Sequence, residues 1–210
     1  MFTGLIEQTG IVRNIERKDA GASMTLEIGS LPQAVIGDSI AVNGACLTLT
    51  SLAHDRYTFD LSSETIQKTN FERSRSGDLV NVEQPLRPSD RLHGHLVNGH
   101  IDCTALVSGI HPSGTYRIVT FELSERTHYL VEKGFIAIDG ISVTPYDIRE
   151  RLFTTAVLPY TYEHTNLRSK KVGDIVNIEF DIIAKYMERL LKTRKGGTMT
   201  EAFLRERGFA

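Results

Sequence analysis

Short runs of apolar residues, bounded by Gly, Asp, Asn or Pro, recur along most of the chain and alternate with polar positions. Most are four to six residues long and rich in β-branched or aromatic types, which is typical of strands in an antiparallel sandwich or barrel. The predicted strands of the first half are residues 5–12, 24–28, 39–42, 46–50, 57–61 and 79–83. Those of the second half are residues 116–123, 135–138, 141–144, 153–158 and 175–180.

The end of the chain has a different period. Ile182, Ile183, Tyr186, Met187, Leu190 and Leu191 recur at steps of three and four residues, with charged residues between them. This spacing predicts an amphipathic helix of about three turns that ends at the glycines at 196 and 197. The pattern leaves two fates open for its apolar stripe: it folds over a barrel end, or it packs on copies of itself.

The pattern also repeats. Residues 43–48 (NGACLT) match 139–144 (DGISVT), and residues 77–83 (GDLVNVE) match 173–179 (GDIVNIE), while residues 1–7 are echoed at 96–102. The period is too long for a solenoid repeat and is about the length of a small domain. The chain is therefore predicted to be an all-β tandem duplication, with domains at 1–95 and 96–181 and a helical tail at 182–210.

Residues 91–102 (RLHGHLVNGHID) lie where the sequence starts again, and they hold three of the seven histidines. We expect this stretch to be a strand that leads from the first copy into the second. A brief helical turn is expected at residues 62–65, because Ser62 or Ser63 can cap it and Glu64 favours its positive end.

Composition excludes several classes. A net charge of −2 and a pI near 6.4 give no basic surface for nucleic acid. No apolar run reaches the roughly 18–20 residues of a membrane span, and the first residues do not resemble a signal peptide. The two cysteines, Cys46 and Cys103, are expected to stay reduced in a cytoplasmic protein. No metal-binding motif is present, and no metal or cofactor is expected.

Polar side chains near the repeats are the candidates for chemistry. His95 and His100 are either acid–base groups or structural partners of the backbone in a glycine-rich bend. Cys46 corresponds to Ser142, and Thr48 to Thr144, so each copy keeps small hydrogen-bonding atoms at the same places. With the turns at 60–65 and 158–161, these residues predict two similar pockets for a flat, polar ligand.

The motifs as a set closely resemble the riboflavin synthase family. They are MFTGLIE at the start, VNGACLT at 42–48, GHL at 94–96, GHID at 99–102, KGFI at 133–136, DGIS at 139–142 and EAFLR at 201–205. The resemblance implies two six-stranded Greek-key β-barrels, each binding one 6,7-dimethyl-8-ribityllumazine, and a C-terminal helix that helps to hold a homotrimer. It also implies an active site between the first barrel of one subunit and the second barrel of its neighbour.

Site residues follow from the resemblance alone. The implied catalytic residues are Phe2, Ser39, Cys46, His95, His100 and Ser142. The implied substrate contacts are Gly4, Leu5, Ile6, Cys46, Leu47, Thr48, Asp60, Leu61, Ser62, Ser63, Glu64, Thr65, Gly99, His100, Ile101, Lys133, Asp139, Ser142, Val143, Thr144, Val157, Leu158, Pro159, Tyr160, Thr161 and Tyr162.

The implied reaction is a dismutation in which one lumazine gives a four-carbon unit to the other, yielding riboflavin and 5-amino-6-ribitylaminouracil without cofactor or metal. Lumazine synthase is a candidate partner. The alternative is a non-catalytic lumazine- or flavin-binding protein of the same fold, but His95, His100, Cys46 and Ser142 favour the enzyme. A flavoprotein reductase would need a nucleotide-binding domain, and no G-x-G-x-x-G motif is present. One departure is Pro145, which removes a strand donor in the second copy.

Overall fold

The computed structural model describes residues 1–193 and Arg205. The first copy forms a closed antiparallel barrel with strand order β1-β2-β5-β4-β3-β6. Its strands are β1 (Gln8–Lys18), β2 (Gly21–Glu27), β3 (Ser39–Val42), β4 (Ala45–Ala53), β5 (Arg56–Ser62) and β6 (Leu79–Glu83). Because β5 returns to lie between β2 and β4, the connection from β2 to β3 crosses the barrel in Greek-key fashion. The six-stranded prediction is confirmed for this copy.

Alternation fixes which side chains fill this barrel. In β2 and β5 every second residue is buried, including Met24, Leu26 and Phe59, while the residues between them face outwards. After β5 comes helix α1 (Ser63–Lys68), and the Ser62 hydroxyl accepts a hydrogen bond from the Thr65 amide at 3.0 Å. The predicted helical turn and its cap are confirmed.

The second copy repeats this plan with one strand divided. It comprises β7 (Cys103–Ser113), β8 (Tyr116–Leu123), β9 (Ile136–Ile138), β10 (Ile141–Val143), β11 (Pro145–Arg149), β12 (Leu152–Val157) and β13 (Ile175–Phe180), with helix α2 (Pro159–His164) after β12. These strands form a seven-stranded sheet in the order β10-β9-β13-β7-β8-β12-β11. The two edge strands, β10 and β11, are consecutive in the chain and are separated only by Thr144, so the sheet is interrupted at that residue.

Pro145 explains the break between β10 and β11. In the first barrel the Leu49 amide donates to the Asp38 carbonyl at 2.9 Å, and the Gly37 amide donates back to the Leu49 carbonyl at 2.8 Å. In the second barrel the Lys133 amide still donates to the Pro145 carbonyl at 2.8 Å. Proline has no N–H to complete the pair, so the counterpart of β4 breaks into β10 and β11. The effect of Pro145 expected from the sequence is confirmed.

The stretch at 91–102 is not the expected strand. Its only ladder contact within the described residues is the single bridge between Phe2 and Val97, and the first strand of the second copy begins at Cys103. The cause is local: Gly99 has φ +83°, and successive amides of this stretch donate to a side-chain carboxylate rather than to a neighbouring strand.

Helix α3 (Ile182–Thr193) follows β13 directly. Its polar side contacts the second barrel, where the Glu188 carboxylate accepts from Tyr129 Oη at 2.5 Å and Lys185 Nζ lies 2.7 Å from Asp102 Oδ1. Ile183, Tyr186, Met187, Leu190 and Leu191 are exposed. The helix is confirmed, whereas its predicted end at residues 196 and 197 lies outside the described residues. In the part of the chain that the structure describes, no helix combines the length and the hydrophobicity that a membrane span requires.

Candidate active site

Two extended segments cross between the barrels, and each closes a site on the barrel of the other copy. The Phe2 amide donates to the Val97 carbonyl at 2.7 Å, and the Val97 amide donates back at 3.1 Å. Beyond this pair, Ile6 packs on the core of the second barrel and Ile101 packs on the core of the first. The two matching segments, residues 1–7 and 96–102, therefore each pack on the barrel of the other copy.

The first site is centred on Cys46 of β4. Its amide donates to the Gly99 carbonyl at 2.9 Å, and a Cβ placed on Gly99 would lie 2.5 Å from the Cys46 Cβ. Only glycine allows so close an approach at this positive φ. The ring of Phe2, fully buried, lies beside the same pair and belongs to the cluster that contains Cys46.

A row of polar side chains continues this site across three strands. Ser39 on β3 pairs with Thr48 on β4, which in turn pairs with Asp60 on β5. Residues paired in this way point to the same face of a sheet, and all three are exposed. Cys46 lies two residues before Thr48 and therefore shares its face. The first barrel thus presents a thiol, two hydroxyls and a carboxylate along one outer surface.

The second site is centred on Ser142 of β10. Its amide donates to the Gly4 carbonyl at 2.8 Å, and a Cβ on Gly4 would lie 2.6 Å from the Ser142 Cβ. His95 adds a group from the linking stretch, because its Nδ1 lies 2.7 Å from Ser142 Oγ. The His95 ring stacks on Phe135, with centroids 5.3 Å apart.

The two sites share backbone geometry but differ in chemistry. Phe135 occupies the position that corresponds to Ser39, and Ala156 corresponds to Asp60, so the second face is more apolar than the first. Lys133, exposed and at φ +62°, corresponds to Gly37. The two faces therefore offer different chemical groups to a ligand.

Burial lowers the pKa of His95 below its ordinary value, while the nearby carboxylate of Asp181 acts weakly in the opposite direction. The ring is therefore neutral at physiological pH, and one of its nitrogens can exchange a proton with Ser142. His100 differs from His95: its side chain is exposed, and its amide donates to Glu179 at 3.1 Å. Among the described residues no group of three or more His, Cys, Asp or Glu side chains is arranged to hold a metal ion.

Asp139 lies away from both surfaces. It is fully buried between the barrels, where Asn70 Nδ2 and Asn166 Nδ2 donate to it at 2.9 and 2.7 Å and Lys170 Nζ lies at 3.2 Å. Its counterpart in the first copy, Asn43, accepts from Asn166 in the same network. The Asn177 amide also donates to it at 2.7 Å. These contacts are all within the protein, and the implied role of Asp139 as a substrate contact stays a prediction.

The other implied residues fall into three classes of exposure. Exposed residues are Leu5, Ser39, Thr48, Asp60, Ser62, Ser63, Glu64, His100, Lys133, Thr144, Leu158, Pro159 and Tyr160. Half-buried residues are Ile6, Cys46, Thr65, Ile101, Ser142, Val143, Thr161 and Tyr162. Buried residues are Phe2, Gly4, Leu47, Leu61, His95, Gly99 and Val157. The turn residues lie at the junctions of β5 with α1 and of β12 with α2, as the sequence predicts.

Two site residues were missed. Glu83 and Glu179 end the matching motifs GDLVNVE and GDIVNIE, and their carboxylates accept hydrogen bonds from the segments that close the sites. Burial raises the pKa of both groups, while the amide hydrogen bonds oppose the shift. The sequence did carry a signal, because a strand that ends on a repeated acidic residue in a buried position needs a partner.

Comparison with known proteins gives consistent matches over both copies. The family described as lumazine binding domain matches residues 3–85 and again residues 98–181. The riboflavin synthase of Actinobacillus pleuropneumoniae is 40% identical over 217 residues, covering 100% of both chains. That of Bacillus subtilis (strain 168) is 36% identical over 215 residues with the same coverage. That of Schizosaccharomyces pombe is 37% identical over 196 residues, covering 91% of this chain and 94% of its own.

Solved structures show the same fold. LumP complexed with 6,7-dimethyl-8-(1'-D-ribityl) lumazine superposes with a TM-score of 0.78 at 24% sequence identity, covering 85% of this chain and 98% of its own. LumP complexed with riboflavin gives a TM-score of 0.77 at the same identity, covering 86% and 99%.

Proposed function

The chain belongs to the lumazine-binding domain family, which matches both of its halves, and on this premise we propose that its two barrels hold the two substrate molecules of riboflavin synthase. The activity is that of a transferase in riboflavin biosynthesis, as in the riboflavin synthases that it matches along its whole length. One 6,7-dimethyl-8-ribityllumazine loses a four-carbon unit and the other gains it, so no outside oxidant or reductant is required. The observation that carries the assignment is the full-length match at 36–40% identity.

The geometry supports this division of labour between the barrels. Cys46, with Ser39 and Thr48 beside it, holds one lumazine at the first barrel. Ser142 and His95 hold the other at the second, where Phe135 offers an apolar face to a flat ring. Because the reaction needs two rings held face to face, orientation supplies much of the rate acceleration.

Proton transfer is the remaining requirement. The ring-bound methyl group of the acceptor lumazine is acidic, so a modest base is sufficient to remove its proton. His100 takes this role, because its side chain is exposed and it follows Gly99, the residue of the closing segment that packs on Cys46. At the opposite site the hydrogen bond between His95 and the Ser142 hydroxyl holds both groups in place beside the other lumazine.

Assembly completes the site in this proposal. In a single chain Ser39, Thr48 and Asp60 of the first face and Phe135 of the second are exposed, as is most of the apolar stripe of α3. A homotrimer in which the first barrel of one subunit faces the second barrel of its neighbour would bring the two lumazines together, with α3 as the contact between subunits. We place the domain limits at residues 95 and 181, the protein in the cytoplasm, and lumazine synthase as a candidate partner, because it makes the substrate.

One assay tests the function. The purified protein is incubated with 6,7-dimethyl-8-ribityllumazine alone, and riboflavin is measured by its absorbance and fluorescence. Riboflavin and 5-amino-6-ribitylaminouracil in equal amounts are the expected result. Tight binding of unchanged lumazine, without riboflavin, would instead identify a non-catalytic binding protein.

A further inference from the structure

Two buried glutamates lie at equivalent places in the two copies, and neither has a role in the scheme above. Glu83 ends β6 and is 3% exposed, and Glu179 lies near the end of β13 and is 2% exposed. A buried carboxylate is costly unless several donors compensate for its lost hydration. Each of these carboxylates has its donors in one of the crossing segments.

The contacts are close and nearly equivalent. Glu179 accepts from the amides of Asn98, Gly99 and His100 at 2.7, 2.9 and 3.1 Å. Glu83 accepts from the Thr3 amide at 2.6 Å, the Thr3 hydroxyl at 2.7 Å and the Gly4 amide at 3.1 Å. Successive amides that converge on a carboxylate form a concave anion site, and bonds to an ionised acceptor are about twice as strong as neutral ones.

The barrel that supplies each glutamate is not the barrel whose site the held segment closes. Glu179 belongs to the second barrel, but the Gly99 that it holds packs on Cys46 of the first. Glu83 belongs to the first barrel, and the Gly4 that it holds packs on Ser142 of the second. A Cβ added at Gly99 or Gly4 would lie only 2.5 or 2.6 Å from the Cβ of the site residue, so each segment lies directly against the residue that it covers.

We propose that Glu179 and Glu83 are positioning residues that act crosswise, Glu179 holding the segment that closes the Cys46 site and Glu83 holding the segment that closes the Ser142 site. The proposal rests on the proposed function only in calling these sites catalytic. Neither glutamate touches substrate. Each acts through the backbone of the segment that it holds, and Glu179 also fixes the backbone of His100.

Strand register makes the crosswise arrangement testable. Glu83 pairs with Ala41, and Ala41 pairs with Cys46, so Glu83 is the glutamate on the same barrel as Cys46. If the glutamates only stabilised their own barrels, loss of Glu83 would expose Cys46. If they act crosswise, loss of Glu179 exposes Cys46 instead.

The experiment measures the rate at which iodoacetamide alkylates Cys46 in the full chain, by mass spectrometry of its peptide. Glutamine retains a single acceptor oxygen and turns an NH₂ group towards the amides, so Glu179→Gln is expected to raise the rate about tenfold to a hundredfold. Glu83→Gln is expected to leave the rate within about twofold of the wild type. Glu122→Gln, in an exposed ion pair with Arg151, is the matched control.

An unchanged Cys46 rate in Glu179→Gln, or an equal or larger rise in Glu83→Gln, overturns the proposal. Gly99→Ala provides a second test if Glu179→Gln does not fold, because it pushes the segment off Cys46 and leaves the glutamate in place. An unchanged rate in a folded Gly99→Ala protein also overturns it.

A turnover assay adds the catalytic readout: kcat falls at least about tenfold in Glu179→Gln, and Glu179→Asp restores part of it. Because alkylation needs no substrate, the result stands even if no riboflavin is formed.

Discussion

Nδ1 of His95 lies 2.7 Å from Oγ of Ser142, and this contact joins the histidine-rich stretch to the second barrel. The partner residues come from separate regions of the sequence, and the histidine has no equivalent at the Cys46 site among the contacts described there. Because the ring is 6% exposed and stacked on Phe135, it is held in one orientation. The two sites therefore differ in this histidine as well as in the side chains of their strands.

The first prediction concerns pH and His95. Burial lowers the pKa of His95 in the folded state, so at a pH below 6.5, its ordinary pKa, the unfolded chain binds a proton more readily than the folded chain does. The stabilising contribution is present above pH 6.5 and is lost as the pH falls through the lowered pKa, with a slope of up to about 1.4 kcal/mol per pH unit. Urea unfolding between pH 7.5 and 5 measures this slope. We expect it to be smaller in His95→Gln than in the wild type, and an equal decrease in the exposed-site control His93→Gln would contradict the assignment.

The second prediction concerns chemistry at the first barrel. Cys46→Ala and His100→Ala are expected to lower turnover about tenfold or more while lumazine binding weakens less, because both residues act on the reacting ring rather than on its anchoring. Cys46→Ser is the matched control, since serine stands at the equivalent position in the second copy. Steady-state rates and fluorescence titrations separate the two effects. Wild-type turnover in either alanine variant would leave that residue with a structural role.

The third prediction concerns assembly. Of the six apolar side chains in the α3 stripe, Ile182 is half-buried and the other five are exposed. Each contributes roughly 1.5–3 kcal/mol when fully buried, so in the proposed trimer their contact between subunits would supply much of the association energy. Truncation after Phe180 is expected to give folded monomers that bind lumazine, make little riboflavin and regain activity at high protein concentration. Sedimentation and a rate measurement decide the matter together. A fully active trimer of the truncated chain would show that the barrels alone make the interface.

The fourth prediction concerns the docking of α3 on its own barrel. Hydrogen bonds from Lys192, Tyr129 and His128 lower the pKa of Glu188 to about 2. The Lys192 contact lies within α3, whereas Tyr129 and His128 belong to the second barrel. The part of the pKa lowering that comes from the barrel stabilises the docked helix at a pH above 4.5, the ordinary pKa, and this stabilisation is lost as the pH falls towards 2. Hydrogen exchange of residues 182–193, corrected for its intrinsic pH dependence, is expected to show release of the helix in acid. Glu188→Gln should release it at neutral pH, whereas release in the control Glu163→Gln would point to a general effect.

The sequence was sufficient for most of the strands and for the duplication, because both depend on local alternation and on repeated punctuation, but it missed β7, the strand that opens the second copy. It also predicted the consequence of Pro145, since a missing N–H does not depend on tertiary context. It failed at residues 91–102, where apolar residues between glycines resemble a strand. The amides of that stretch instead find their acceptor in Glu179, about eighty residues away, and no local pattern reveals such a partner.

Some features of the candidate site could likewise be predicted from the sequence, and others could not. Cys46, Ser142 and their neighbours could be placed from the repeat, because equivalent positions in the two copies kept similar atoms. The hydrogen bond between His95 and Ser142, and the buried position of Asp139 between the barrels, could not be predicted from the repeat. Both depend on which faces the two barrels turn towards each other, and that choice is made by side chains far apart in the sequence.

The crossing of the two segments has a consequence for how the protein is made. A ribosome releases the chain from its first residue onwards, so the first barrel emerges before Gly99, which closes its site, and well before Glu179, which fixes that closure. If Glu179 holds the closing segment as proposed, the Cys46 site of the nascent first barrel is not fixed until the last strand has been synthesised. A chain that stops before β13 would then lack the group that holds its first site closed, although every residue of the first barrel is present.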